Sequence, residues 1–140
     1  MQKEMIENNP ILKLSFDFSL LAIDYCELLD VNKKFVVSRQ LLKAATSIGA
    51  NSFEAQNAES KADFIHKMKI AAKESSETLY WLMLCERSDG YQFDKKLRSD
   101  LDEIVRILSK IISSSKGKIP VFILSIMCVF SNFQILKLTH

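Results

Sequence analysis

The sequence predicts an all-α fold, an antiparallel up-down-up-down four-helix bundle, and three observations carry that prediction. Across 140 residues there are 3 glycines and 2 prolines against 48% hydrophobic residues, which suits long helices better than a sheet with many turns. Apolar residues recur at alternating steps of three and four in four separate segments, the spacing that lines one face of an α-helix. Only short polar stretches join the segments, and short connections between long helices imply antiparallel neighbours. The bundle is expected to occupy residues 1–118, with residues 119–140 a hydrophobic C-terminal tail.

Seams and breakers place the helices near 11–29, 35–58, 60–88 and 93–113. The first has the seam Leu14, Phe18, Leu21, Tyr25 and Leu28, with Pro10 at its first turn, where its missing N–H is harmless. "DVNKK" breaks the pattern. The second seam, Val37, Leu41, Ala45, Ile48, Ser52 and Ala55, crosses the polar run "SIGANSFEAQNAES" without losing phase, leaving Asn51 and Glu54 off the stripe. That run is therefore expected to be helix followed by a bend. Gly49 costs about 1 kcal/mol against alanine in a helix interior, and a seam of Ala, Ser and Gly offsets this by letting a neighbouring helix come close. Ser60 followed by Asp63 resembles a capping box with Asp in the usual Glu position, restarting the chain after a bend at 58–60. The third seam is Phe64, Met68, Ala71, Ser75, Leu79 and Leu82, stopped by "SDG" at 88–90; the fourth is Phe93, Leu97, Leu101, Ile104, Leu108 and Ile111, with charges on its other side.

The third helix is apolar on a second face. Ile70, Trp81 and Leu84 lie roughly opposite its core seam, with Tyr80 nearby. Trp and Tyr are favoured interface anchors, so self-association through this helix is one reading; a crowded core around a rotated helix is the other.

Net charge is only +2, but it is unevenly placed. Residues 33–73 hold eight Lys/Arg against three Asp/Glu, giving +5; residues 1–32 hold two against six, and 74–103 four against eight, each giving −4. A basic middle between acidic flanks is either a set of complementary bundle faces or a phosphate-directed surface. In the second case Lys43, Lys61, Lys67, Lys69 and Lys73 are the candidate nucleic-acid contacts, acting as point charges without a sequence code.

Catalytic chemistry finds little support. A di-metal carboxylate bundle needs two Glu-x-x-His motifs; the chain has one Asp63-x-x-His66, and His66 projects away from Phe64 and Met68. There is no Gly-rich phosphate loop, GxSxG or HExxH. Glu54 and Glu77 could serve as an acid–base pair, but Lys73 one turn before Glu77 makes a helix-face ion pair the simpler expectation. No enzyme activity, cofactor or metal is expected. Cys26, Cys85 and Cys128 are isolated and odd in number, suiting a reducing cytoplasm. The polar, acidic "MQKEMIENNP" is not a secretory signal. "SSSKGK" at 113–118 reads as a linker, and from Ile119 to Leu136 there is no charge. Pro120, Ser125, Ser131, Asn132 and Gln134 leave an apolar run shorter than the roughly 20 residues of a spanning helix. The tail reads equally as a membrane anchor, as an extra helix or strand laid on the bundle, or as an oligomer contact.

The stretch "LLKAATSIGANSFEAQNAESKADFIHKMKIAAKESSETLYWL" resembles the signature of bacterial four-helix bundle proteins first noticed as reading frames inside 23S ribosomal RNA intervening sequences. The motif positions are Asn51, Glu54, Ala55, Asp63, Phe64 and Glu77; the likeness is specific across 36–84 and extends in pattern from 11 to about 114. The resemblance implies an all-α bundle assembling as a ring, commonly a homopentamer, with no established enzymatic activity. A related accessory protein of diversity-generating retroelements shares the ring and binds reverse transcriptase and RNA through a basic surface. RNA, or a reverse transcriptase or other RNA-handling protein, is thereby implied as a partner. Two features depart from the pattern: the position of Lys43 is often arginine, which would weaken a bidentate contact to a point charge, and the hydrophobic tail replaces a short basic end.

Overall fold

Helix-forming residues dominate the chain, and the computed structural model, which describes residues 2–116, contains five α-helices and no strand among them. They are α1 (Gln2–Asn8), α2 (Pro10–Val31), α3 (Phe35–Ala55), α4 (Lys61–Arg87) and α5 (Lys95–Lys116). α3 packs against α2 and α4, α5 packs against α4 and α2, and α1 rests on α2, so the four long helices share one helical bundle core. The short α1 is an addition to the four helices expected.

α2 begins with Pro10 at its first turn, as its sequence requires. Its buried line, however, is Ile11, Ser15, Phe18, Ala22, Tyr25 and Leu29. Leu14 and Leu21 are only partly buried and Leu28 is exposed, so the expected seam is correct in period and displaced in phase. The reason lies in α3. A Cβ added at Gly49 would stand 3.3 Å from Ser19 Oγ and 3.4 Å from the Ser15 carbonyl oxygen. The α2–α3 contact is therefore close enough to demand Ser15, Ser19 and Ala22 rather than leucines. The hydroxyls stay satisfied within the helix, Ser19 Oγ donating to the Ser15 carbonyl at 2.8 Å and Ser15 Oγ to that of Leu12 at 3.3 Å.

At the other end of this pair Ser38 Oγ donates to the Cys26 carbonyl (3.1 Å) and Cys26 Sγ to the Ser38 carbonyl (3.4 Å), a reciprocal clasp between two buried side chains. Asn9 Nδ2 meets Gln56 Oε1 at 3.2 Å, joining the start of α2 to the end of α3.

The second seam of the sequence is largely observed: Leu41, Ala45, Ile48, Ser52 and Ala55 are buried, and Val37 is at the edge. α3 stops at Ala55, three residues before its expected end, because residues 56–58 tighten into i→i−3 bonds to Phe53, Glu54 and Ala55. The cap that follows is as expected: Ser60 Oγ accepts the Asp63 N–H at 3.1 Å, and Asp63 Oδ2 reaches back to the Glu59 N–H at 3.2 Å. On α4, Met68, Ala71, Ser75, Leu79 and Leu82 are buried, while Phe64 is partly so. The chain leaves α4 through Gly90 at φ 79, a left-handed turn glycine.

α5 starts at Lys95, not near 93. Gln92 is held in the loop by Tyr25, whose hydroxyl donates to its carbonyl at 2.7 Å, and Phe93 packs edge-on to the Tyr25 ring. α5 also runs past 113 to Lys116, and within it Ser113, Ser114 and Ser115 each donate a hydroxyl to a carbonyl three or four residues back. The start of the expected linker is thus the last turn of a helix. One charge of α5 faces inward: the Arg98 side chain, 9% exposed, lies 3.7 Å from Glu86 of α4 and 3.8 Å from Asp102. The expected tail, 119–140, lies outside the described residues.

Candidate interaction face on the fourth helix

Because α4 buries Met68, Ala71, Ser75, Leu79 and Leu82, the same 3.6-residue period sends His66, Lys69, Ile70, Lys73, Glu77, Tyr80 and Leu84 to its opposite side. His66, Lys73, Glu77, Tyr80 and Leu84 are exposed, Tyr80 by 56% and Leu84 by 38%. The stripe divides by chemistry along its length. Its N-terminal half is basic, with His66, Lys69, Ile70 and Lys73 lining one shallow depression. Its C-terminal half is aromatic and aliphatic: the Tyr80 and Trp81 rings meet edge-on with centroids 5.2 Å apart, and Leu84 follows one turn on. Lys73 and Tyr80 are two turns apart, about 10 Å along the axis.

The structure separates the five candidate lysines. Lys69 and Lys73 share the depression. Lys43, exposed on α3, does not line it; burial raises the Glu74 carboxyl above its ordinary value, with Glu77 adding to the rise and Lys43 and Lys73 opposing it. Lys67 is committed elsewhere, in an ion pair with Glu54 of α3 at 2.7 Å. Lys61, the first residue of α4, falls off the stripe. Glu77, expected opposite Lys73, accepts the Trp81 indole N–H at 3.4 Å. Glu54 and Glu77 thus serve two separate partners.

Of the four residues read as an apolar second face, Tyr80 and Leu84 point outward. Trp81 and Ile70 are partly buried, and Trp81 packs on the core. One position round from Tyr80, Trp81 sits on the flank of α4, so the face is an outward strip at Tyr80 and Leu84 and a crowded edge at Trp81.

The motif residues are architectural. Asn51 Nδ2 donates to the Ser47 carbonyl at 2.8 Å, Ala55 is buried at the end of α3, Asp63 caps α4, and Phe64 packs on the core. Among the described residues no group of three or more His, Cys, Asp or Glu is placed to hold a metal ion, and no helix is long and apolar enough to cross a membrane.

Sequence reasoning missed a second apolar stripe, Phe16, Leu20 and Ile23 on α2, exposed by 42%, 49% and 37%. It also missed a corner formed by Val31, Phe35 and Val36 at the α2–α3 turn, where Lys34 lies over the Tyr91 ring at 4.9 Å. The i, i+4, i+7 spacing of the α2 stripe was visible, but α2 has apolar residues on nearly every side, and period alone does not say which are covered.

The fold and the stripe define an all-α bundle protein that presents a basic and an aromatic patch on one helix. The chain belongs to the 23S rRNA-intervening sequence protein family, which matches it over residues 7–110. It is also similar to the crystal structure of a protein of unknown function from the S23 ribosomal protein family of Bacteroides thetaiotaomicron VPI-5482. That protein is 40% identical, with a TM-score of 0.69 over 73% of this chain and 97% of the other. No curated protein matches the chain.

Proposed function

We propose that this protein is a non-catalytic, cytoplasmic scaffold that assembles as a ring of identical antiparallel up-down-up-down four-helix bundles, with five copies, and binds RNA or an RNA-handling protein through the basic half of α4. The antiparallel order is supported by the Asn9–Gln56 bond at one end of the α2–α3 pair and the Cys26–Ser38 clasp at the other. RNA is favoured by the shared placement of Lys69 and Lys73 in one depression, with Lys43 on the neighbouring helix. Membership of a family named for 23S rRNA intervening sequences agrees with that ligand class.

The test is binding to a structured RNA at low and moderate salt. Charge reversal at Lys43, Lys69 and Lys73 is expected to weaken binding by at least tenfold and flatten its salt dependence, since each lost phosphate contact lowers the slope by roughly one. Lys67→Glu, which breaks an internal ion pair, is expected to matter much less. Equal binding by wild type and the triple variant removes the RNA reading. A protein-interaction module without nucleic-acid binding is then left, favoured by the exposed Val31, Phe35 and Val36 corner.

A further inference from the structure

We propose that the exposed stripe Phe16, Leu20 and Ile23 of α2 is the surface on which a second copy of this chain seats the Tyr80–Leu84 strip of its α4. This pairing rests on the proposed assembly of identical copies and goes further by naming the two surfaces that meet. A ring grows by head-to-tail contact, in which two different patches of each copy come together, whereas one patch facing itself closes a pair and stops. The Tyr80–Leu84 strip therefore needs a counterpart elsewhere on the molecule. The fold places one on the far side. α2 and α4 each pack on α3 and α5, which sets them diagonally across the bundle with their uncovered faces pointing away from each other.

The two surfaces match in length and chemistry. On α2, Phe16, Leu20 and Ile23 are 42%, 49% and 37% exposed at i, i+4 and i+7, and Glu27 continues the line at i+11, with Asp24 exposed on its edge. A half-exposed Phe, Leu and Ile in one line make a patch suited to a partner. Lys13, the one basic residue of α2, is engaged by Glu7 and Asp17 at 3.2 and 3.4 Å, so Asp24 and Glu27 leave this face acidic. On α4, Tyr80 and Leu84 are 56% and 38% exposed, and the same line carries Lys73 two turns before Tyr80 and Arg87 one turn after Leu84. Glu77, between Lys73 and Tyr80, is turned to the Trp81 indole, so the bases set the sign of this face. Each line runs from apolar to charged over about two turns, roughly 10 Å: Leu20 and Ile23 lead to Glu27, and Tyr80 and Leu84 to Arg87. Copies that point the same way therefore bring apolar against apolar and carboxylate against guanidinium. Acid facing base favours this pairing over α2 on α2 or α4 on α4, where like charges would meet.

The test is complementation between two variants of the full chain, read as mass by light scattering at about 100 µM protein. Leu20→Glu/Ile23→Glu spoils only the α2 stripe, and Tyr80→Glu/Leu84→Glu only the α4 strip. Each alone is expected to be a monomer. Mixed in equal amounts, they are expected to give twice the monomer mass and no more, because one intact stripe meets one intact strip while the other two patches carry opposed glutamates. All four replacements fall at exposed helix positions, and circular dichroism checks that both bundles stay folded. If the α2 variant loses helicity, Leu20→Glu alone takes its place. Either variant keeping the wild-type mass overturns the pairing and leaves the assembly itself standing, the α2 stripe then belonging to a different partner. Two monomeric variants that stay monomeric when mixed overturn it as well. A wild type that is itself monomeric removes the assembly and the pairing together.

Discussion

Gly49 is the residue at which local and tertiary preferences meet most directly. In a helix interior glycine is the poorer choice by about 1 kcal/mol against alanine, yet here its missing side chain lets α3 approach Ser15 and Ser19 of α2. Alanine would meet Ser19 Oγ at 3.3 Å and the Ser15 carbonyl oxygen at 3.4 Å. The first contact relaxes by turning a hydroxyl, and the second is near ordinary van der Waals separation. Gly49→Ala is therefore expected to leave stability within about 1 kcal/mol of wild type, propensity gain and steric strain largely cancelling. Gly49→Leu has no such escape and is expected to destabilise the bundle by about 3 kcal/mol or more. Urea denaturation of the two variants checks this, and a harmless leucine would show that α2 and α3 are not in close contact. The small-residue seam was legible because Ala45, Ile48, Ser52 and Ala55 keep helical phase through polar neighbours. That the matching small residues on α2 are Ser15, Ser19 and Ala22 was not, since the choice depends on which helix arrives opposite them.

At the scale of elements, the sequence revealed periods more readily than phases. α3 and α4 have one apolar face interrupted by polar residues, so their seams could be assigned directly. In α2 the line Phe18 and Tyr25 can be flanked by Leu14, Leu21 and Leu28 or by Ile11, Ser15, Ala22 and Leu29, and only the packing of α3 chooses between the two. Helix ends moved too: a tertiary hydrogen bond from Tyr25 of α2 holds Gln92 out of α5, and α5 runs on to Lys116. The chosen phase of α2 buries Tyr25 and Cys26. Burial pushes the Cys26 thiol up to about 11, with Asp30 and Cys85 adding to the rise and the Ser38 hydrogen bond opposing it. Burial likewise raises Tyr25 and Cys85 above their ordinary values. A folded-state value above the unfolded one stabilises the fold fully below the unfolded value, near 8.5 for a thiol, and is lost as pH rises through the folded value. The bundle should accordingly hold its stability until pH approaches about 8.5 and lose about 3 kcal/mol through Cys26 by pH 11. The urea midpoint is expected to fall between pH 8 and pH 10.5, and Cys26→Ala to shallow that slope. A flat midpoint across the interval contradicts the burial of these groups.

For the whole molecule, the proposed function asks one helix face to serve both assembly and ligand binding. The phase of α4 puts Lys69, Lys73, Tyr80 and Leu84 on one side, divided only along its length. If copies associate through the Tyr80–Leu84 half, the Lys69–Lys73 half is left at the border of the contact, repeated once per copy. The two functions then separate by mutation. Tyr80→Glu/Leu84→Glu introduces a like-charge clash at an exposed position, and light scattering at tens of micromolar is expected to report a monomer. RNA affinity should also fall at least tenfold, because avidity between repeated weak patches is lost while every lysine remains. Lys69→Glu/Lys73→Glu should do the reverse, leaving the mass of the assembly unchanged and removing RNA binding at moderate salt. Dissociation of the assembly by the lysine variant would mean that the stripe is a single interface along its whole length. An unchanged mass for the aromatic variant would move assembly to another exposed apolar surface, the α2–α3 corner of Val31, Phe35 and Val36 being the first candidate.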